Sequence, residues 1–208
     1  MSTDIHGGIE VLDPHGDEDF CGEGPWVLAL DLSLLCFDSD YTAFGCLFGV
    51  RNIAGWDPVV PARGLPDDVS AGVLRQFAMF PDEWHSPTWA TWGELRDIDM
   101  DAVPVGVGSR GLVTAVDFPG AGLHRLYWVS DVWPASLVER FGVPPVGDGP
   151  AVAEYGEWSV GEARLRYERF TRRQAIGAGS DWEHVFRVME ALAGRFGADG
   201  VRMVVYFD

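Results

Sequence analysis

The alternation of hydrophobic and polar residues at the start of the chain predicts a β-strand. Between residues 4 and 12 the side chains alternate with the two-residue period of an extended strand. One face of this strand carries Asp4, His6 and Glu10, and the other buries Ile5 and Ile9. A purely structural strand rarely carries two carboxylates and an imidazole on one face, so this face is a candidate functional site.

The same kind of pattern predicts the other elements. Short apolar or alternating segments predict strands at residues 26–32, 112–118, 123–129, 162–170 and 201–207. Apolar residues at helical spacing predict helices at residues 41–49, 67–78, 92–98, 134–141 and 181–196. The third and fifth of these helices follow capping-box sequences, Thr91-x-x-Glu94 and Ser180-x-x-Glu183. The intervening segments are predicted as an acidic loop at 13–25, a turn-rich segment at 80–87 and a linker-like loop at 142–150.

These elements predict the α+β class, because the strands do not alternate regularly with helices as in a doubly wound fold. We expect a single domain over residues 1–208, built on a mainly antiparallel sheet and covered by three or four helices. The first and last strands can be neighbours in this sheet, since chain termini are often close in space. A length of 208 residues fits one domain with a sizeable core, and a hydrophobic fraction of 47% is typical of globular proteins.

Several classes of protein are excluded by composition. No apolar segment approaches the roughly 20 residues of a membrane span, and the acidic start does not resemble a signal peptide, so we expect a cytoplasmic protein. All 15 basic residues are arginine. Without lysine the chain cannot form a pyridoxal phosphate Schiff base, a P-loop or a protein-kinase site. The cofactor is otherwise unknown, with a divalent metal as one possibility.

The net charge of −17 limits the classes of partner that we expect. This charge repels nucleic acid and anionic lipid, so we expect a small molecule or a protein as the partner, and neither nucleic acid nor membrane. Cys36 and Cys46 are too far apart in sequence for a metal-binding hook, and Cys21 is isolated. All three cysteines are predicted to be buried thiols.

Several segments resemble a known group of proteins. The opening Thr3-Asp4-Ile5-His6-x-x-x-Glu10 is similar to the start of uncharacterised phage and actinobacterial proteins that begin with a Cys- or Thr-Asp-Ile-His segment. The segments DYxxFxxLxxVRN at 40–52, RGLPxDVS at 63–70 and HSPxWxxxGEL at 85–95 fit the same pattern, as does the final Phe-Asp pair. The resemblance assigns no activity. It implies that the polar residues of these segments belong to one shared feature.

The candidate site on the first strand is compatible with chemistry, with binding alone or with a structural role. Asp4, His6 and Glu10 could bind a divalent metal, because mixed histidine and carboxylate ligands at alternate strand positions suit one ion. His6, Glu10 and His85 could instead act as general acids and bases, and Asp208 would join them if the first and last strands pair. The same residues could equally line a pocket that binds a ligand without chemistry, or form a purely structural polar network.

A second group of residues is predicted to bind the substrate. Arg51, Asn52 and Arg63 follow apolar helices, and an arginine fork suits a phosphate or a carboxylate. Trp89 could wall the same pocket. Ser86 lies next to His85, but the surrounding sequence has no nucleophile elbow and does not predict a nucleophilic serine.

The function predicted from these patterns is that of a small-molecule-binding protein or a small hydrolase, metal-assisted or acid/base, with its site on the first strand. The competing prediction is an acidic interaction factor that binds a basic partner, such as an inhibitor, an immunity protein or a phage counter-defence protein. An electrostatic complex of the second kind would weaken as salt is added.

Overall fold

The computed structural model describes residues 2–13, 15, 24–36, 39–104, 111–117, 125–129, 155–160 and 163–208. The chain divides into two compact units, one formed by residues 1–100 together with 172–208 and the other by residues 101–171. The expectation of a single domain over residues 1–208 stays a prediction. The helix predicted at 134–141, the linker-like loop at 142–150 and most of the acidic loop at 13–25 lie outside the described residues.

Eight strands and five α-helices occur in the described part of the chain, and they confirm the α+β class. The strands are β1 (Ile5–Leu12), β2 (Trp26–Asp31), β3 (His85–Thr91), β4 (Gly111–Asp117), β5 (Arg125–Val129), β6 (Tyr155–Val160), β7 (Ala163–Arg169) and β8 (Val201–Phe207). The helices are α1 (Tyr41–Phe48), α2 (Ala71–Phe77), α3 (Trp92–Arg96), α4 (Arg172–Ile176) and α5 (Trp182–Phe196), with a 3-10 turn at Leu32–Leu34.

The first unit is built on an antiparallel sheet of order β2-β1-β8-β3. The first and last strands are its central pair, with Ile5 opposite Phe207 and Glu10 opposite Arg202. This pairing confirms that the two strands are neighbours. The second unit contains another antiparallel sheet, of order β5-β4-β7-β6.

Helices cover both faces of the first sheet. The side chains of β8 alternate between the two faces and therefore contact helices on each. On one face the ring of Phe207 lies 5.2 Å from Phe44 and 5.5 Å from Phe48 of α1, and Phe48 lies 5.7 Å from Trp182 of α5. On the other face Val73 of α2 forms a buried cluster with Val204 and Tyr206. A strand covered on both sides is buried along its whole length, and every residue of β8 is buried.

Three local predictions need correction. Strand β3 begins at His85 and so takes up the last three residues of the turn-rich segment predicted at 80–87. Pro87 is tolerated there because β3 is an edge strand, where a missing N–H can face away from the neighbouring strand. Helix α2 begins after Ser70 rather than at residue 67, because the Ser70 hydroxyl caps Val73 N at 3.3 Å. The capping box predicted for α5 does not form, because Ser180 donates to the carbonyl of Gly177 instead.

Helix α4 and strand β6 were not predicted from the sequence. The five residues of α4 are too few to show a hydrophobic period, and β6 begins shortly after the glycine- and proline-rich segment at 142–150, whose composition obscured it. The predicted boundaries of β1, α1, α5 and β8 agree closely with those observed, because each is a long or strongly patterned segment.

Candidate functional site

Glu10 lies in a buried network rather than in an accessible site. Its side chain is 0% exposed and that of Arg202, directly across the β1–β8 pair, is 3% exposed. Arg202 Nε donates to one carboxylate oxygen of Glu10 at 2.6 Å, and Ser70 N donates to the other at 2.8 Å. Both oxygens of the Glu10 carboxylate are therefore engaged by the protein itself.

Arg202 links this network to the loop before α2. Its Nη1 and Nη2 donate to the carboxylate and the backbone oxygen of Asp68 at 2.7 and 2.9 Å. Its guanidinium lies 3.8 Å from the centre of the Trp26 ring, and the Trp26 indole donates to Asp68 at 2.8 Å. Burial raises the pKa of Asp68, but the hydrogen bonds and charge of Arg202 and the bond from Trp26 outweigh it and leave this pKa below its ordinary value.

Asp4 and His6 lie at the other end of β1, beside Asp208. Asp4 N donates to one oxygen of the Asp208 carboxylate at 2.7 Å, and His6 Nε2 lies 3.4 Å from the other. The bond from Asp4 N holds the pKa of the Asp208 carboxyl below its ordinary value, with help from His6 and against partial burial. The His6 ring also contacts Trp84 and Tyr206, at centroid distances of 4.6 and 5.8 Å.

The predicted metal ligands are not brought together. Glu10 bonds to Arg202 and Ser70, whereas Asp4 and His6 meet Asp208 at the far end of the strand. Within the described ranges, no group of three or more His, Cys, Asp or Glu side chains is placed to hold one metal ion. The polar face of β1 thus separates into a buried structural pair and a half-exposed cluster around Asp208.

An open groove of about 720 Å³ lies near this cluster. Its described lining brings together the loop after α1 and the start of β3, and consists of Phe48, Gly49, Val50, Arg51, Asn52, Pro58, Pro61, Ala62, His85 and Ser86. The chain has 32 acidic residues against 15 basic ones, yet this lining contains an arginine, a histidine and no carboxylate. The described lining thus contains one guanidinium, that of Arg51, and no carboxylate.

Two residues of this lining have unusual backbone conformations. Arg51 and Ser86, with φ of 49° and 50°, are the non-glycine residues in the described part of the chain that have a positive φ. This left-handed conformation costs an L-residue about 1–2 kcal/mol. Such strain persists where the surrounding structure enforces it, and it is concentrated at ligand sites.

His85 is held at the start of β3 by contacts on both sides of its ring. Its Nε2 lies 3.1 Å from the backbone oxygen of Asp208, and its Nδ1 lies 3.0 Å from Ser86 Oγ. The ring stacks on the buried ring of Phe207, with 6.0 Å between centroids and 24° between planes. The two predicted imidazoles, His6 and His85, thus both contact Asp208, but only His85 lines the groove.

The predicted substrate-binding residues separate into two places. Arg51 and Asn52 line the groove, although Asn52 also holds the following loop through bonds of 2.8 and 2.9 Å to the backbone of Trp56. Arg63 and Trp89 are absent from the described lining. Arg63 pairs with Glu94 at 2.9 Å and lies 5.5 Å from the Trp89 ring.

Ser86 lines the groove, although the sequence around it did not predict a nucleophilic serine. Asp208 was predicted to join the candidate site only if the first and last strands paired. No local sequence signal could place Ser86 in a groove, because its orientation depends on its register against β8.

Cys36 and Cys46 are buried as predicted, and burial raises the pKa of each thiol to about 12. These two cysteines are poor candidates for nucleophiles.

Comparisons with known proteins assign no family to this chain. No protein-family model matches it, and neither the curated proteins nor the solved structures include a significant match. None of the helices in the described ranges is long and apolar enough to cross a membrane.

Proposed function

We propose that this protein binds a small anionic molecule, a carboxylate or a phosphate ester, in the groove beside His85. The observation that carries the proposal is that the two non-glycine residues with positive φ in the described chain, Arg51 and Ser86, both line this groove. The fold holds both in a costly conformation at one place, as expected of a pre-organised binding site.

The charge of the lining supports an anion over a cation or a neutral ligand. Arg51 supplies a guanidinium, whose donors match carboxylate and phosphate oxygens. Its Nε donates to the buried Thr3 hydroxyl at 2.9 Å, which ties the side chain to the start of β1. Anchoring one donor reduces the side-chain entropy lost when a ligand binds.

The volume of the groove suits a small-molecule ligand. About 720 Å³ lies within the range of roughly 300–1,000 Å³ that is typical of small-molecule sites. The proposed site also differs from the one expected on the first strand, since it uses His85 and Arg51 but neither Glu10 nor a metal.

The test measures binding of inorganic phosphate, phenyl phosphate and succinate by thermal shift and by calorimetry. A ligand at about 100 times its Kd stabilises the native state by roughly 2.7 kcal/mol, which we expect to raise Tm by about 5–10 °C. Arg51→Gln should abolish the shift. Arg96→Gln is the matched control, because Arg96 is exposed, pairs with Asp97 at 3.5 Å and lies outside the described lining.

The proposal fails if none of the three anions shifts Tm or gives binding heat. It also fails if Arg51→Gln and Arg96→Gln respond to the anion as the wild type does, because binding would then be independent of the groove.

A further inference from the structure

We propose that Ser86 and His85 form a nucleophilic dyad that hydrolyses a carboxylic ester in the groove. The inference rests on the proposed anion-binding function for its class of substrate, an ester that also carries an anionic group. Its chemistry rests on separate observations, namely the hydrogen bonds of His85, the backbone conformation of Ser86 and the stacking of the imidazole on Phe207.

The hydrogen bonds of His85 assign a role to each ring nitrogen. The backbone oxygen of Asp208 can only accept, so His85 Nε2 carries the proton in the contact of 3.1 Å. The other nitrogen of the neutral ring, Nδ1, is then an acceptor, and the Ser86 hydroxyl donates a hydrogen bond to it at 3.0 Å. A nucleophile bonded to a base that is itself oriented by a third group is the general arrangement of nucleophilic catalysis.

The backbone directs Ser86 toward the groove. Between His85 and Thr88 strand β3 contains one residue more than the matching stretch of β8, because His85 pairs with Phe207 and Thr88 pairs with Val205. Such a bulge redirects side chains and is common next to active sites. Ser86 takes up this irregularity with its positive φ of 50°, and it lines the groove together with His85.

The imidazole rests on a rigid support. Phe207 is 0% exposed, and its ring contacts the rings of His85 and of Phe44 and Phe48 of α1. His85 is itself exposed, and its orientation is set by the stacked Phe207 ring and by the two hydrogen bonds of its nitrogens. Such support favours one orientation of the base, as a catalytic group requires.

The reaction proceeds in two balanced steps. Ser86 Oγ attacks the carbonyl carbon of the ester and its proton passes to His85 Nδ1; the ester C–O bond then breaks, and the same proton leaves with the alcohol. Water next attacks the acyl-serine and gives a proton to Nδ1, which returns it to Ser86 Oγ as the carboxylic acid departs. Arg51 holds the anionic group of the substrate in the groove throughout.

The test compares 4-nitrophenyl hemisuccinate with 4-nitrophenyl acetate as esterase probes. We expect hydrolysis of both, with at least about a tenfold preference in kcat/KM for the anionic ester, since an ionic hydrogen bond to Arg51 is formed only there. Ser86→Ala and His85→Phe should each lower kcat at least about 100-fold. The His85→Phe variant keeps an aromatic ring to stack on Phe207.

Ser33→Ala is the matched control, because Ser33 is an exposed serine on the 3-10 turn and should leave turnover unchanged. A fluorophosphonate ester should label the wild type at Ser86, located by peptide mass spectrometry, and should leave Ser86→Ala unlabelled. Turnover retained in Ser86→Ala, or labelling confined to another residue, would overturn the dyad.

Running the phosphate thermal shift on the same preparations separates the two proposals. A wild type that binds phosphate but shows neither turnover nor labelling refutes the dyad and leaves the binding function standing. A wild type that hydrolyses both esters equally, without any phosphate shift, supports the dyad and refutes the anion site.

Discussion

Replacing Glu10 by glutamine tests whether the first strand carries a structural pair or a functional site. The variant keeps the size of the side chain but removes its charge. Glutamine has only one acceptor oxygen, whereas the carboxylate accepts from both Arg202 Nε and Ser70 N. Whichever way the amide is oriented, its NH₂ group faces a buried donor.

The size of the effect follows from this geometry. A hydrogen bond to a charged group contributes about 1.5–3 kcal/mol, and a buried donor left without an acceptor costs about 1–3 kcal/mol. Breaking a buried ion pair by removing one partner costs about 3–5 kcal/mol in general. Because Arg202 keeps its bonds to Asp68, we expect the lower end, about 3 kcal/mol, which corresponds to a fall in Tm of roughly 10 °C.

The assay is urea unfolding followed by tryptophan fluorescence, with the free energy of unfolding taken from the midpoint and the slope. The signal sums nine tryptophans, of which Trp26 lies at the pair itself, with its ring 3.8 Å from the Arg202 guanidinium. Glu190→Gln is the matched control on the exposed side of α5 and should change stability by less than about 0.5 kcal/mol. The double variant Glu10→Gln with Arg202→Met should lose less stability than the sum of its single variants.

Two results would refute this reasoning. One is a Glu10→Gln variant within about 1 kcal/mol of the control, which would mean that the buried pair contributes little. The other is a loss of stability that disappears when EDTA is present throughout, because a metal ligand would then explain the effect better than the ion pair does.

Two further predictions concern other positions on the sheet. Asp208→Asn should reduce stability at neutral pH, because folding lowers the pKa of this carboxyl. Such a group stabilises the fold above its unfolded pKa of about 3.9, and this contribution is lost as the pH falls through the folded pKa. The unfolding curves of variant and wild type should therefore converge in acid, and a gap that stays constant from neutral pH to pH 2 would contradict the assigned pKa direction. Gly7→Ala should destabilise by about 3 kcal/mol in the urea assay, because Gly7 has a φ of 113° and a Cβ there would collide with the backbone oxygen of Val204. Gly194→Ala, where a Cβ on α5 meets open space, should instead stabilise slightly, and equal effects at the two glycines would contradict this account.

Local patterns were sufficient for the elements whose period is unambiguous. The alternation around Ile5 and Ile9 defined β1 and its two faces, and the apolar stripe from Trp182 to Met189 defined α5. Local patterns failed for β3 and α4. The residues of these two elements allow more than one backbone conformation, and packing against the rest of the unit selects one of them.

The pattern placed three ionisable residues, Asp4, His6 and Glu10, on the first strand, but it could not say which of them lie together in the fold. Glu10 and Arg202 are 192 positions apart in sequence, and the register of β1 against β8 alone makes them a buried pair. The environment of a charge depends on the residues that surround it in space, and those residues come from distant parts of the chain.

Sequence alone determined the α+β class, the polar face of β1, the buried cysteines and the chemistry that a chain without lysine cannot perform, because these follow from residue type and short-range period. Only the tertiary structure decided that Glu10 is buried against Arg202, that Arg51 lines a groove with His85, and that Ser86 Oγ lies beside His85 Nδ1. The physical reason is that the registers of β1 and β3 against β8, and the bulge in β3, are set by pairing between segments that are far apart in the sequence. The local preferences of Glu10 and Ser86 do not encode this pairing.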